Sequence, residues 1–227
     1  MNFTTLAAFG LSLLAASALS GCIGASNEES DPVGAADQAL TTVSLNATAF
    51  GNWAQNGVRT ADNQLTGTVG GVEHAAYFVF DLSSVAGKTA TNIELVVNNP
   101  ASGFRENITE PKAGLRVPMR PIGNTSIETL TTGNDDTSVY QQIRDDTEDY
   151  SYFYLTSATG STQYGLLGYD TDRIPAIIKG AKAGTQFAVA AWPSNVNDDT
   201  KVDANGTGDQ FAFNGVTTTP QLRITVE

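Results

Sequence analysis

The side chains best suited to chemistry are concentrated in the second half of the chain. Asp198, Asp199, Asp203, Asn205 and Asp209 lie in one oxygen-rich run, Asn197 to Asp209. Within it Asp203, Asn205, Thr207 and Asp209 alternate, and Gly208 is available for a tight turn. Carboxylate and amide oxygens on a bending backbone are what a hard cation requires, which makes these five residues the candidate calcium ligands. The run lacks the bidentate glutamate that closes an EF-hand, since the twelfth position counted from Asp203 is Asn214, and Lys201 adds a positive charge to it. A long polar turn accounts for the same residues without a metal.

Carboxylate pairs are frequent: Asp135-Asp136, Asp145-Asp146, Glu148-Asp149, Asp170 with Asp172, and Asp198-Asp199. Two acids held across a cleft hydrolyse glycosidic bonds, which makes a carbohydrate-active hydrolase or lyase the alternative reading of the chain. Acids in polar turns are ordinarily just solvated charge. Nucleophilic catalysis has little to draw on. His74 is the only histidine, in a Gly70-Gly71-Val72-Glu73-His74 stretch with no nucleophile motif beside it. Zinc sites built from His and Cys are excluded by count. Aromatic faces are the other resource. Trp53, Trp192, Tyr152 and Tyr154 are the candidates for stacking on a polysaccharide, and Trp192 is the strongest, because it leaves an apolar run into Pro193-Ser194-Asn195. Aromatic residues of β-rich domains also fill cores.

The sole cysteine, Cys22, ends Leu19-Ser20-Gly21-Cys22 behind an uncharged, Leu- and Ala-rich run from Leu6. That run is shorter than the roughly 20 residues a spanning helix needs and has the character of a signal-peptide core. Ala16-Ser17-Ala18 would suit cleavage as an ordinary secretory signal. The tetrapeptide, however, resembles the lipobox of bacterial lipoproteins, which also accounts for the place of the lone cysteine. This resemblance implies that residues 1–21 are a signal peptide, that Cys22 carries lipid, and that the membrane is a partner through that lipid. Ile23 after the cysteine, rather than Asp, implies the outer membrane.

Residues 22–42 are polar, small and aperiodic, as in Ser26-Asn27-Glu28-Glu29-Ser30-Asp31, and read as a flexible tether. The chain has 24 acidic and 12 basic residues, a formal net charge of −12. Such a balance argues against nucleic acid as a partner. It also opposes adsorption to anionic head groups, so the lipid rather than the protein surface would hold the molecule at a membrane.

The elements that must position these residues are short strands. Period-two alternation marks Ala76 to Leu82, with Phe78, Phe80 and Leu82 on one face and Tyr77, Val79 and Asp81 on the other. It recurs in Thr91 to Val97 and in Gln221 to Val226, where Leu222, Ile224 and Val226 point inward. Gln186 to Trp192 is apolar on both faces and suits a central strand. Ser151 to Ser157 is a further strand, and Val43 to Ala49 opens the domain. One short helix is expected over Asp172 to Gly180, with Asp172 to cap it, Pro175 in its first turn and Gly180 to stop it. Asn98 to Thr137 is weakly patterned and is expected to form a long loop or edge strands. Together these features predict an all-β domain over residues 43–227, a two-sheet β-sandwich or jelly roll with one short helix.

The segment Ala76-Tyr-Phe-Val-Phe-Asp-Leu-Ser-Ser-Val-Ala-Gly87, followed by the Ile93 to Val97 strand, resembles secreted bacterial β-sandwich domains of the carbohydrate-binding-like group. Gly184 to Ala190, the pair Phe211 and Phe213, and the closing Thr219 to Ile224 strand are similar to that group as well. Related domains occur in exported proteins that end in a Pro-Glu-Pro type sorting tail. Here the sequence ends at Glu227 after its last expected strand, and the N-terminal lipid would replace that anchor. The resemblance implies a non-catalytic, lipid-anchored surface protein of the bacterial envelope, either a polysaccharide-binding or a structural module.

Overall fold

Alternating apolar residues need two surfaces to bury them, and β-strand supplies most of the described structure. The computed structural model describes residues 39–99, 104–106, 119–121, 125–145, 160–166, 173–191, 210–216 and 218–227, all within the compact unit Gln38–Glu227. Along the chain run β1 (Thr41–Ala54), β2 (Arg59–Ala61), β3 (Gln64–Val69), β4 (Val72–Asp81), β5 (Ala90–Asn99), β6 (Phe104–Glu106) and β7 (Met119–Pro121). Then come α1 (Ile127–Thr132), α2 (Thr137–Asp145), β8 (Gly160–Gly165), α3 (Arg173–Gly180), β9 (Gln186–Ala191), β10 (Gln210–Val216) and β11 (Gln221–Val226).

The strands form one curled antiparallel sheet in the order β6-β10-β3-β4-β1-β11-β5-β8, with β2 on β1, β9 on β4 and β7 on β9. β1 is where the sheet turns. Its first half, Thr41 to Asn46, pairs with β11, and its second half, Ala47 to Ala54, pairs with β4. The register slips between Ala47 and Ala49, leaving Thr48 as the extra residue of a β-bulge. The Thr48 hydroxyl donates to the carbonyl of Val79 at 3.2 Å. Burial changes along the same strand, from alternating before the bulge to continuous from Phe50 to Ala54.

The main core draws Ile93, Leu95 and Val97 from β5 and Leu222, Ile224 and Val226 from β11. Against them lie Phe78 and Phe80 from β4 and Phe187 and Val189 from β9, with Ile174 and Ile178 of α3 closing one margin. β11 and the inward face of β5 follow the expected alternation, and β9 is central, between β4 and β7. α3 starts one residue after Asp172 and holds Pro175 in its first turn, where the missing N–H costs no helix bond.

Two expectations are corrected. The face of β4 carrying Tyr77 and Val79 is not solvated, because both side chains are buried. The domain also holds more than one short helix: α1 and α2 lie in stretches not expected to be helical, and they cover this face. Leu130 of α1 and Val139, Tyr140 and Ile143 of α2 form a second core with Trp53, Ala75, Tyr77, Val79 and Ala190. α2 brings Val139, Tyr140 and Ile143 to one side by helical spacing. Each helix is started by a side chain from the residue before it. Ser126 accepts from the Thr129 N–H at 3.0 Å, and Asp136 accepts from the Ser138 N–H at 2.9 Å. Within Asn98 to Thr137, β6 and β7 are the expected short added strands, on β10 and β9.

Candidate functional site

Most of the candidate residues lie outside the described part of the molecule. These are Cys22, Tyr152, Tyr154, Trp192, and the calcium candidates Asp198, Asp199, Asp203, Asn205 and Asp209. The expected strand Ser151 to Ser157 lies there too, as do the acids Asp146, Glu148, Asp149, Asp170 and Asp172. Among the described residues, no group of three His, Cys, Asp or Glu side chains is placed to hold a metal ion.

Trp53 is described, and it has no exposed surface. Its indole N–H donates to the carbonyl of Leu130 at 3.0 Å. The ring therefore offers no free face for a sugar to stack on. It is the floor on which α1 sits, and the bond satisfies a carbonyl near the end of that helix, where intrahelical partners run out.

Around Trp53 the structure assembles a polar cluster where β1, β2 and β4 meet the α1–α2 linker. Arg59 donates from Nε to the carbonyl of Gly133 at 3.1 Å and from a terminal nitrogen to the Tyr77 hydroxyl, also at 3.1 Å. The Tyr140 hydroxyl donates to a carboxylate oxygen of Glu73. The Asp136 N–H donates to the carbonyl of Gly57 at 3.2 Å. Glycine is required at the linker, because a Cβ on residue 133 would stand 2.4 Å from the Thr129 carbonyl oxygen and 3.2 Å from the Trp53 ring. Burial pushes the Tyr77 phenol above its ordinary range, and the neighbouring Arg59 only partly offsets this, so Tyr77 stays protonated at neutral pH. The described acids of the cluster, Glu73 and Asp136, are each engaged by a hydrogen bond, from the Tyr140 hydroxyl and from the Ser138 N–H. What the cluster does is fasten two short helices to a sheet.

His74 is not in a loop but within β4, and it is half-buried. The buried Asn52 amide donates to the carbonyl of Asn63 at 2.8 Å, which turns its oxygen toward Nδ1 of His74, 3.0 Å away. Nδ1 is therefore the protonated nitrogen of the neutral ring. Burial holds the His74 pKa below its ordinary value, so the ring is neutral at physiological pH. No serine, cysteine or acid joins it in a triad among the described residues.

Of the described carboxylates in the expected pairs, Asp136 caps α2 and Asp135 takes a positive φ of 53° in the turn before it. The Ser138 hydroxyl and N–H hold Asp136 below the usual carboxylate range, and Ser83 does the same for Asp81. These acids are turn and cap residues. Sequence inspection missed the Arg59–Tyr77 and Glu73–Tyr140 links because their partners are far apart in the chain. The one local signal was the pair of polar caps, Ser126 and Asp136, each followed by an apolar helical stripe.

Compared with known proteins, the chain matches no family profile and no curated protein.

Proposed function

We propose that the protein is a non-catalytic, lipid-anchored surface protein of the bacterial envelope. Acyl chains on Cys22 hold it at the outer membrane, and residues 22–42 carry a β-sandwich that binds polysaccharide or serves as a structural module. The observation that carries this reading is the position of the only cysteine, directly behind Leu19-Ser20-Gly21. Several buried acyl chains, each methylene contributing about 0.8 kcal/mol, make release from a bilayer negligible. We read the layers on either side of the main core as the two sheets of the sandwich. The polysaccharide role rests on Trp192, Tyr152 and Tyr154, since Trp53 is accounted for by the second core.

The test is to express the full chain in a bacterium, fractionate the cells and measure intact mass. The expected product is membrane-bound, begins at Cys22 and carries acyl groups, and Cys22→Ser abolishes that product. A soluble chain beginning at Leu19, or an unmodified Cys22, overturns the anchor. A glycan array on the mature chain separates the two roles. Binding that Trp192→Ala removes supports the polysaccharide role, and an array with no hits leaves the structural one.

A further inference from the structure

β3 buries an unusual face. Gln64 and Thr66 have no exposed surface and Thr68 almost none, so three polar side chains in alternate positions line one side of an interior strand. The Gln64 amide donates to the carbonyl of Thr218 at 3.1 Å, but its Oε1 has no hydrogen-bond partner. Neither has the Thr66 hydroxyl. Two adjacent orphans on one face are uncommon, because nearly all buried polar atoms are paired with protein or with ordered water.

The partner strand is irregular at the same place. β10 pairs Phe211 with Gly67, Phe213 with Thr66 and Val216 with Gln64. Each of those two steps carries one more residue on β10 than on β3, so the register shifts twice opposite Thr66 and Gln64. Each extra residue interrupts the ladder and leaves backbone groups without a cross-strand partner. Orphaned acceptors and an interrupted ladder therefore coincide at one seam.

We propose that this β3–β10 seam is an internal water-binding site, in which at least one ordered water donates to Gln64 Oε1 and bonds the Thr66 hydroxyl. A buried water typically makes about three hydrogen bonds to groups that would otherwise be unsatisfied, and the seam supplies two side-chain atoms and the ladder gaps. The strip from Gln64 to Thr68 is thereby a hydrated element inside the domain. Its side chains are neutral, which suits water better than a free cation.

The test uses the mature full chain. A high-resolution crystal structure should show a water within hydrogen-bond distance of both atoms. Magnetic relaxation dispersion should detect a long-lived internal water that Thr66→Val removes and Thr66→Ser keeps. Thr66→Val is nearly isosteric, so it should lower the melting temperature by about 2–4 °C if it deletes bonds to a held water. A melting temperature that is unchanged or raised would mean the hydroxyl was an orphan whose removal relieves a cost, and would overturn the proposal. So would direct protein partners for both atoms in the crystal, or a metal cation refined between them in place of water.

Discussion

The two faces of β4 are buried by different means. One face presents Phe78 and Phe80 to apolar side chains of β5, β11 and α3. The other presents Tyr77 and Val79 to α1 and α2, and there the contact mixes apolar side chains with hydrogen bonds from Trp53, Arg59 and Tyr140. The first face needs only volume and shape. The second must also satisfy the ends of two short helices, which would be marginal in isolation. An apolar core tolerates approximate fit, whereas a core that closes with polar ties fixes one docking geometry.

The largest expected effect is on the first face. Phe78→Ala removes a fully buried ring from the main core and should cost about 3–5 kcal/mol in urea unfolding. Gly133→Ala probes the second face. Its methyl group must displace the Thr129 carbonyl or the Trp53 ring, for a loss of about 1–3 kcal/mol together with a changed near-ultraviolet dichroism from Trp53. A loss from Gly133→Ala as large as that from Phe78→Ala would mean that the two cores form one cooperative unit of equal weight.

The smallest effect is on pH dependence. The folded His74 has a pKa below its ordinary 6.5, so below that pH the unfolded chain binds the proton more readily. Stability should therefore decline as pH falls from about 6.5 toward the folded value, and His74→Gln should flatten that part of the curve. Asp81 and Asp136, held below their ordinary 3.8, add a separate loss only as pH falls through the acid range beneath that value. A titration curve identical in His74→Gln and wild type would show that burial of the His74 ring does not set its proton affinity apart from that in the unfolded chain.

The first face was legible in the sequence and the second was not. Leu222, Ile224 and Val226 alternate because solvent lies on the other side of β11, and that contrast is what a period-two pattern records. β4 alternates too, but between two kinds of burial. Tyr77 and Val79 read as outward only when no second layer is anticipated. α1 and α2 escaped notice because six and nine residues give few turns of periodicity, and Thr129, Thr131 and Thr132 are poor helix formers. Trp53 was legible as an important aromatic residue. Its role as the floor for α1 was not, because that role depends on a carbonyl 77 positions away. The β3–β10 seam was equally silent, since polar Gln64, Thr66 and Thr68 give no sequence sign that their strand lies inside the sheet.

The ladder between β1 and β11 sets Thr41 opposite Val226, about 5 Å apart by ordinary strand spacing. The polypeptide thus leaves its domain beside the point where it came in, and topologically it is a ring lacking a short bridge. Such a ring can be cut elsewhere. The two-residue turn Gly70-Gly71, between β3 and β4, is exposed, a Cβ at either position would meet nothing within 4 Å, and the positive φ of both residues, 58° and 79°, is what selects glycine there. A circularly permuted chain joined across Thr41 and Val226 and opened at that turn keeps both cores intact. The new ends would then lie on β3 and β4 rather than on β1 and β11.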